Sequence, residues 1–130
     1  MNSFANSMNA AASGMQAQGF RMRVISENIA NKDTPGFHRK TVSFDNAYNR
    51  ERDMNLVKVD RVGLDRSKLE RVYNPAHPMA DESGHVELSN VSLMMEMADG
   101  REANRSYEAN LATFQQARQM YSSLMDILRR

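Results

Sequence analysis

Apolar residues near the start of the chain recur with a helical period. Phe4, Met8, Ala11, Met15, Gln18, Met22, Ile25 and Ile29 follow one another at alternating steps of four and three, a heptad seam whose one polar member is Gln18. Within it, Met8, Met15, Met22 and Ile29 form an unbroken series seven residues apart. Asn9, Gln16, Arg23 and Glu27 are set off that seam. Gly14 and Gly19 lie inside the same stretch, and each costs a helix about 1 kcal/mol relative to Ala. A helix of this composition needs a partner to stay folded.

The end of the chain repeats the pattern. Leu93, Gly100, Tyr107, Phe114, Tyr121 and Leu128 are seven apart, Ala103, Asn110, Ala117 and Leu124 fill the second seam position, and Leu111 and Met125 widen the stripe. Ser89 or Asn90 is the expected N-cap, because short polar side chains accept the first free backbone N–H groups. Arg129 and Arg130 suit the negative end of the helix dipole. A helix over 91–128 is about 55 Å long at 1.5 Å per residue, whereas a compact globule of this length has a radius of gyration of about 14 Å. The molecule is therefore either a rod or a subunit whose helix ends are covered by neighbours.

Residues 37–88 change character. Thr41–Phe44, Leu56–Val62, Leu69–Tyr73 and His85–Leu88 alternate as short strands do, and the charged run Asn49–Asp53 reads as a solvated loop. Few large apolar side chains occur here, so the most this stretch supports is a small hairpin or sheet leaning on the helices or on another subunit. The three prolines, at 35, 75 and 78, are confined to the region between the two seams. Thr34-Pro35-Gly36-Phe37 predicts a type II turn, with Pro presetting one dihedral and Gly accepting the positive one. Thr34 is pushed out of the helical region by Pro35, so the first helix ends by about Asn31, with Asn28 and Asn31 bonding local backbone there. Asn74-Pro75-Ala76-His77-Pro78 reads as an extended segment leading to a glycine turn at Gly84 and a strand. The predicted fold is mainly α with a small β region. Its terminal helices form an antiparallel coiled-coil-like pair, divided as 1–36 (helix and turn), 37–88 (β-rich middle) and 89–130 (second helix).

Composition narrows the function classes. The chain has 130 residues, one domain's worth. Its 17 Lys+Arg against 16 Asp+Glu leave a net charge of +1, far from the basic excess of a nucleic-acid binder. No cysteine is present, so disulfides, thiol nucleophiles and Cys-ligated zinc are excluded. No run of about 18 apolar residues marks a membrane span, and the first residues lack the basic start and apolar core of a secretory signal. His38, His77 and His85 have no helical partner at metal-binding spacing, and Asp81 and Glu82 near His77 read as the polar part of a proline-bounded turn. Nucleophile elbows, phosphate loops and dinucleotide fingerprints are absent. No catalytic constellation, cofactor or metal is expected.

Asn28-Ile29-Ala30-Asn31 followed by Thr34-Pro35-Gly36-Phe37 closely resembles the signature that closes the N-terminal helix in bacterial flagellar rod and hook proteins. Asn74-Pro75-Ala76-His77-Pro78, Gly84-His85-Val86, Glu96-Met97-Ala98-Asp99 and Arg105-Ser106-Tyr107-Glu108-Ala109-Asn110 extend the likeness in register over nearly the whole chain. The resemblance implies a structural subunit of the basal-body rod in the periplasmic space. It implies terminal helices packed in an inner tube and a middle segment forming an outer layer, in helical array with copies of itself and other rod proteins. It also implies passage through the flagellar type III export apparatus without a cleaved signal peptide, and ring or export-gate components as neighbours at the rod base. A coiled-coil adaptor or export-chaperone-like module is the alternative. The β-like middle and the Thr-Pro-Gly turn speak against it. The expected assembly surface is the seam of Met8, Met15, Met22, Ile29, Tyr107, Phe114, Tyr121 and Leu128. Asn28, Asn31, Pro35 and Gly36 are expected to set the turn out of the inner layer.

Overall fold

A computed structural model describes residues 2–130; Met1, which falls in the predicted 1–36 unit, lies outside them. Helix α1 spans Asn2–Ala30, strands β1 and β2 span Lys40–Asn49 and Met54–Leu64, β3 and β4 span Arg71–Tyr73 and His85–Glu87, and helix α2 spans Leu93–Leu128. The two helices pack together, with two small antiparallel sheets between them in sequence. Their directions are opposed: Gly14 of α1 meets Asn110 of α2, and Gly100 of α2 sits beside Ile25.

The helices approach through small side chains. Ala11, Ala103 and Ala117 are buried, and Ile25 packs beside Gly100. Gly14 is where the approach is tightest, since a Cβ there would lie 2.7 Å from the Asn110 amide. That amide is held in place by its own bond to the Ser106 carbonyl, at 2.9 Å. The bare position at 14 is thus the contact itself, whereas Gly19 faces open space.

β1 and β2 pair from Lys40↔Leu64 to Asn49↔Met54, with a bulge that leaves Asp60 unmatched between Ser43↔Arg61 and Phe44↔Val59. This hairpin is longer than the short strands the alternation predicts. Its turn, Arg50–Asp53, falls on the charged run, and Asp53 takes a positive φ of 49° there. The length has a physical reason: the hairpin lies along α1. Asn28 bonds Lys40 at its base, the Ser13 hydroxyl accepts from the Val57 N–H at 3.1 Å midway, and the Asn6 amide donates to the Arg52 carbonyl at 3.3 Å near the tip. Ten strand residues rise about 33 Å, and the stretch of α1 from residue 6 to 28 also rises about 33 Å. α1 therefore lies between α2 on one side and the hairpin on another.

The Thr34–Phe37 turn is type II, as the sequence predicts: the Phe37 N–H donates to the Thr34 carbonyl at 3.2 Å, and Gly36 has φ +73°. Two sequence expectations are corrected. The Asn74–Pro78 stretch is not extended; it folds into consecutive tight turns, closed by His77 N–H to Asn74 carbonyl (3.1 Å) and Ala80 N–H to His77 carbonyl (3.0 Å). Pro75 and Pro78 each occupy the second position of such a turn, where their fixed φ fits. The N-cap of α2 is Ser92, whose hydroxyl accepts from the Met95 N–H. Ser89 and Asn90 are unavailable for capping because they tie the preceding link to the Lys32 carbonyl and to Arg39.

The exposed surface is 9408 Å², against about 7,000 Å² for a compact protein of this mass. The excess reflects two long helices with little to cover their outer faces.

Substituting Gly14→Ala should lower the melting temperature, because the added methyl must displace the Asn110 amide. Gly19→Ala should instead raise stability by up to about 1 kcal/mol from helix propensity alone. Adding Asn110→Ala to Gly14→Ala should recover most of the loss. Thermal unfolding followed by circular dichroism checks all three.

Candidate functional site

Two regions carry the residues that the sequence points to: a polar joint where α1 ends, and an uncovered apolar face along the helix pair. The joint is built around Asn28, which is 1% exposed, and Glu96, which is 0% exposed. Asn28 sits two residues before the end of α1 and aims its amide at β1. Its Nδ2 donates to the Lys40 carbonyl and its Oδ1 accepts from the Lys40 N–H, both at 2.9 Å, so one side chain pairs with the strand backbone as a neighbouring strand would. The same Nδ2 lies 3.3 Å from Glu96 Oε2. Glu96 is in the first turn of α2, where the helix dipole favours a negative charge.

Arg39 completes the balance. Its Nε donates to Glu96 Oε1, and its Nη2 bonds Asp99 Oδ2 at 2.8 Å. Burial alone would lower the Arg39 pKa, but the hydrogen bond and charge of Glu96, then the charge of Asp99, outweigh it and raise it. Around this core, Arg21 approaches Asp99 and Glu102 at 3.8 and 3.5 Å, and Lys40 Nζ bonds Glu27 at 2.9 Å. Asn90 clamps the other side: its Oδ1 accepts from the Arg39 N–H at 2.6 Å and its Nδ2 donates to the Asp65 carbonyl at 2.8 Å. The ends of both helices and the ends of the long hairpin thus meet in one hydrogen-bonded cluster. It borders a cleft of about 300 Å³ that Val24, Val42 and Phe44 also line.

The remaining turn residues have defined partners. Asn31 Nδ2 donates to the Glu27 carbonyl at 2.9 Å, and the Thr34 hydroxyl donates to Asn31 Oδ1 at 3.1 Å. The Gly36 N–H donates to the Glu87 carbonyl, and the Phe37 carbonyl accepts from Asn90. Pro35 and Gly36 line a shallow cleft of about 270 Å³ with Met79, Asp81, His85 and Glu87. Ala30 ends α1 and is exposed. Asn74 N–H donates to the Gly84 carbonyl, His77 Nδ1 accepts from the Met79 N–H, and Pro75 packs at Gly84, where a Cβ would lie 3.2 Å from it. Pro78 is exposed.

Asp81 organises the β3–β4 loop. Its Oδ1 accepts from the Ser83 hydroxyl (2.6 Å), the Ser83 N–H (2.9 Å) and the His85 N–H (3.0 Å), while Arg71 bonds Oδ2. The Ser83 hydroxyl, then the His85 N–H, with further help from Arg71 and the Ser83 N–H, hold the Asp81 carboxyl well below the usual range.

The seam residues lie on a different side of the helix pair. The side chains of α1 that reach the hairpin are Asn6, Ser13, Glu27 and Asn28. Met8, Met15 and Met22 sit on another face and are half-buried, and Ile29 at the end of their row is exposed. On α2, Tyr107, Phe114 and Tyr121 are half-buried and Leu128 is exposed. Met15 and Tyr107 line one groove of about 560 Å³ with Gly19 and Phe20, so the two rows meet across the helix interface. The closest helix contacts are made instead by the other row, Ala103 and Ala117 against Ala11, Gly14 and Ile25. Further apolar side chains are left uncovered at both ends of α2, among them Met94 at 82% and Ile127 at 68% exposed.

Sequence reasoning missed Arg39, Glu96, Asp99 and Asn90. One signal was present: Glu96 stands seven residues before Ala103, so it continues the seam row Ala103–Asn110–Ala117–Leu124 as a charge on a core position. Among the described residues, no group of three or more His, Asp or Glu is placed to hold a metal ion, and no helix is long and apolar enough to cross a membrane.

Comparison with known proteins gives a consistent result. Residues 8–38 match the family described as flagella basal body rod protein, and residues 82–127 match that described as flagellar basal body rod FlgEFG protein C-terminal. The flagellar basal-body rod protein FlgC of Agrobacterium fabrum is 44% identical over 126 residues, which cover 92% of this chain and 91% of that protein. The proteins of the same name from Borreliella burgdorferi and Bacillus subtilis are 34% and 33% identical, over 95% and 94% of this chain and 96% of each relative.

Asn28→Ala should destabilise the fold by about 3 kcal/mol, because it strands two part-buried backbone groups of Lys40 and one buried oxygen of Glu96. Asn28→Asp should be at least as harmful, since it sets a second carboxylate against Glu96. Urea unfolding gives both values. The lowered pKa of Asp81 implies that its contribution is present above the unfolded carboxylate value of about 3.9 and is lost only as pH falls through the lower folded value. The amide resonances of Ser83 and His85 should therefore titrate with a midpoint well below that value, and Asp81→Asn should abolish the transition.

Proposed function

The chain belongs to the flagellar basal-body rod protein family, as a structural rod subunit and not an enzyme, and from that premise we propose that the Met/Tyr/Phe face of the helix pair is the surface by which it packs into the rod. The observation that carries the reading is the uncovered apolar face itself. Met8, Met15, Met22, Tyr107, Phe114 and Tyr121 are only half-buried in the isolated chain, and Ile29 and Leu128 are exposed. Contiguous apolar surface of this kind marks an interaction site. A contact between different faces of successive copies does not close on itself and builds a helical tube.

In this reading, residues 1–36 and 89–130 form the inner layer with other rod proteins and with further copies of the chain. Residues 37–88 form the outer layer. Asn28, Asn31, Pro35 and Gly36 set the turn from one to the other. The assembled tube serves as a torque-transmitting shaft and as the wall of the export channel. Its place is the periplasmic space, its route the flagellar type III export apparatus without a cleaved signal peptide, and its neighbours at the base are ring or export-gate components. The glycines and small polar residues of α1 support delivery as an unfolded chain, because that helix gains its order from partners. The adaptor or chaperone alternative gives way to the family membership and to the long hairpin clamped along α1.

Met15→Glu and Phe114→Glu should leave the helicity of the isolated chain unchanged, with stability shifts of about 1 kcal/mol or less at these half-exposed sites. Both should abolish incorporation into basal bodies and swimming. Normal motility of both variants would place the assembly surface elsewhere.

A further inference from the structure

On α2 the row that faces α1 is spaced by seven residues, Glu96, Ala103, Asn110, Ala117 and Leu124. Gly14 meets Asn110, which Ala103 and Ala117 flank at seven residues on either side, both of them buried. Sliding α2 along α1 by one heptad, about 10.5 Å, would set Ala117 against Gly14 and bring Tyr107 to the place that Gly100 holds beside Ile25. The link at 88–92 spans up to about 17 Å when extended, so its length does not forbid the slide, which would break the bonds of Ser89 and Asn90 to Lys32 and Arg39. Helix packing thus accepts the slide at Gly14, where alanine replaces the asparagine, and resists it at Ile25, where tyrosine replaces the glycine.

The charged cluster is not degenerate. Arg39, fixed to the end of α1 through Asn28 and Lys40, finds Glu96 and Asp99 in one register alone. One heptad away, Ala103 and Ser106 would stand in their places. The half-buried guanidinium would then lose both carboxylates, and Glu96 would be carried past the end of its partner helix. An uncompensated buried charge is strongly unfavourable, whereas a buried ion pair adds little net stability over an apolar replacement. A single polar group on an otherwise apolar seam is known to select register at the expense of stability.

We propose that the Asn28–Arg39–Glu96–Asp99 cluster, built on two buried side chains, is a register lock, which specifies how far along each other the two terminal helices pair. Glu96 and Asp99 act as positioning residues. They determine which α2 residues complete the Tyr107–Phe114–Tyr121 face opposite the methionines of α1. Register is a property of the single chain, so the test needs no rod.

The absence of cysteine makes disulfide trapping clean. Ile25→Cys with Gly100→Cys reports the native register, since a Cβ at 100 lies 3.8 Å from the Ile25 side chain. Ile25→Cys with Tyr107→Cys reports a slip of one heptad. In the natural background only the first pair should cross-link. With Arg39→Met and Glu96→Leu the helicity should persist, and the slipped pair should rise from undetectable to a comparable yield. Exchanging the acids, by Glu96→Ala, Asp99→Ser, Ala103→Glu and Ser106→Asp, should move cross-linking to the slipped pair. A helical chain that still forms only the native cross-link in both variants would overturn the lock. So would loss of helicity in both, which would make the cluster a source of stability rather than of register. Should the exchanged variant alone fail to fold, the neutral variant decides by the same two cross-links.

Discussion

A carboxylate with no exposed surface must be answered by its neighbours, and the structure is arranged around answering Glu96. Desolvating an ionised carboxylate is costly unless it is paired and hydrogen-bonded. Glu96 has a guanidinium, an amide and the start of its own helix to meet that cost. Each of these comes from a different segment, so satisfying one charge fixes the end of α1, the start of β1 and the first turn of α2 in relation to one another. Asn28 is the piece that links the charge to the backbone. It bonds the acid with one edge of its amide and continues into the hydrogen bonds of Lys40. Asn90 repeats the device from the other side, holding Arg39 and the far end of β2.

The direction of the hairpin follows from this joint. Lys40 is anchored beside Asn28, so β1 must run back along α1, and the bonds to Ser13 and Asn6 are made along the way. The result is a three-layered strip with α1 in the middle. α1 is the poorest of the elements in intrinsic helix propensity, and it is also the one with partners on two sides. Its glycines divide the work: Gly14 permits the closest helix contact, while Gly19 opens the groove between Met15 and Phe20.

The sequence carried the helices and their pairing clearly, because a seven-residue apolar repeat over eight positions has few other readings. The Thr34–Phe37 turn was equally legible, since Pro and Gly constrain its dihedrals directly. Hairpin length was not, because half of β1 and β2 faces solvent and its alternation is diluted by charge. Pro75 and Pro78 suggested extension, although the same fixed φ serves a tight turn, and only the hydrogen bonds of His77 and Ala80 decide between them. The N-cap was misplaced because Ser89, Asn90 and Ser92 are all capable of it, and the choice falls to whichever is not engaged elsewhere. The polar joint was half visible. Asn28 stood out by its place at the helix end, but Arg39 and Asp99 look like ordinary surface charges until the fold brings them to Glu96.

The small seam also explains why the isolated chain has so much uncovered surface. Alanine and glycine let helices approach closely, yet they bury little apolar area, and stabilisation from burial scales with that area. The large side chains that would supply it, the methionines of α1 and the aromatics of α2, stand beside the contact instead of in it. A chain built this way has a close-fitting internal interface of modest strength and a broad external one left open. Binding of neighbours to a folded form adds directly to its stability, so on the proposed assembly face the pair of helices would be held most firmly once neighbours cover it. A polar joint that fixes how the segments meet, beside large apolar side chains left half-covered, suits a rod subunit that gains further order from its neighbours.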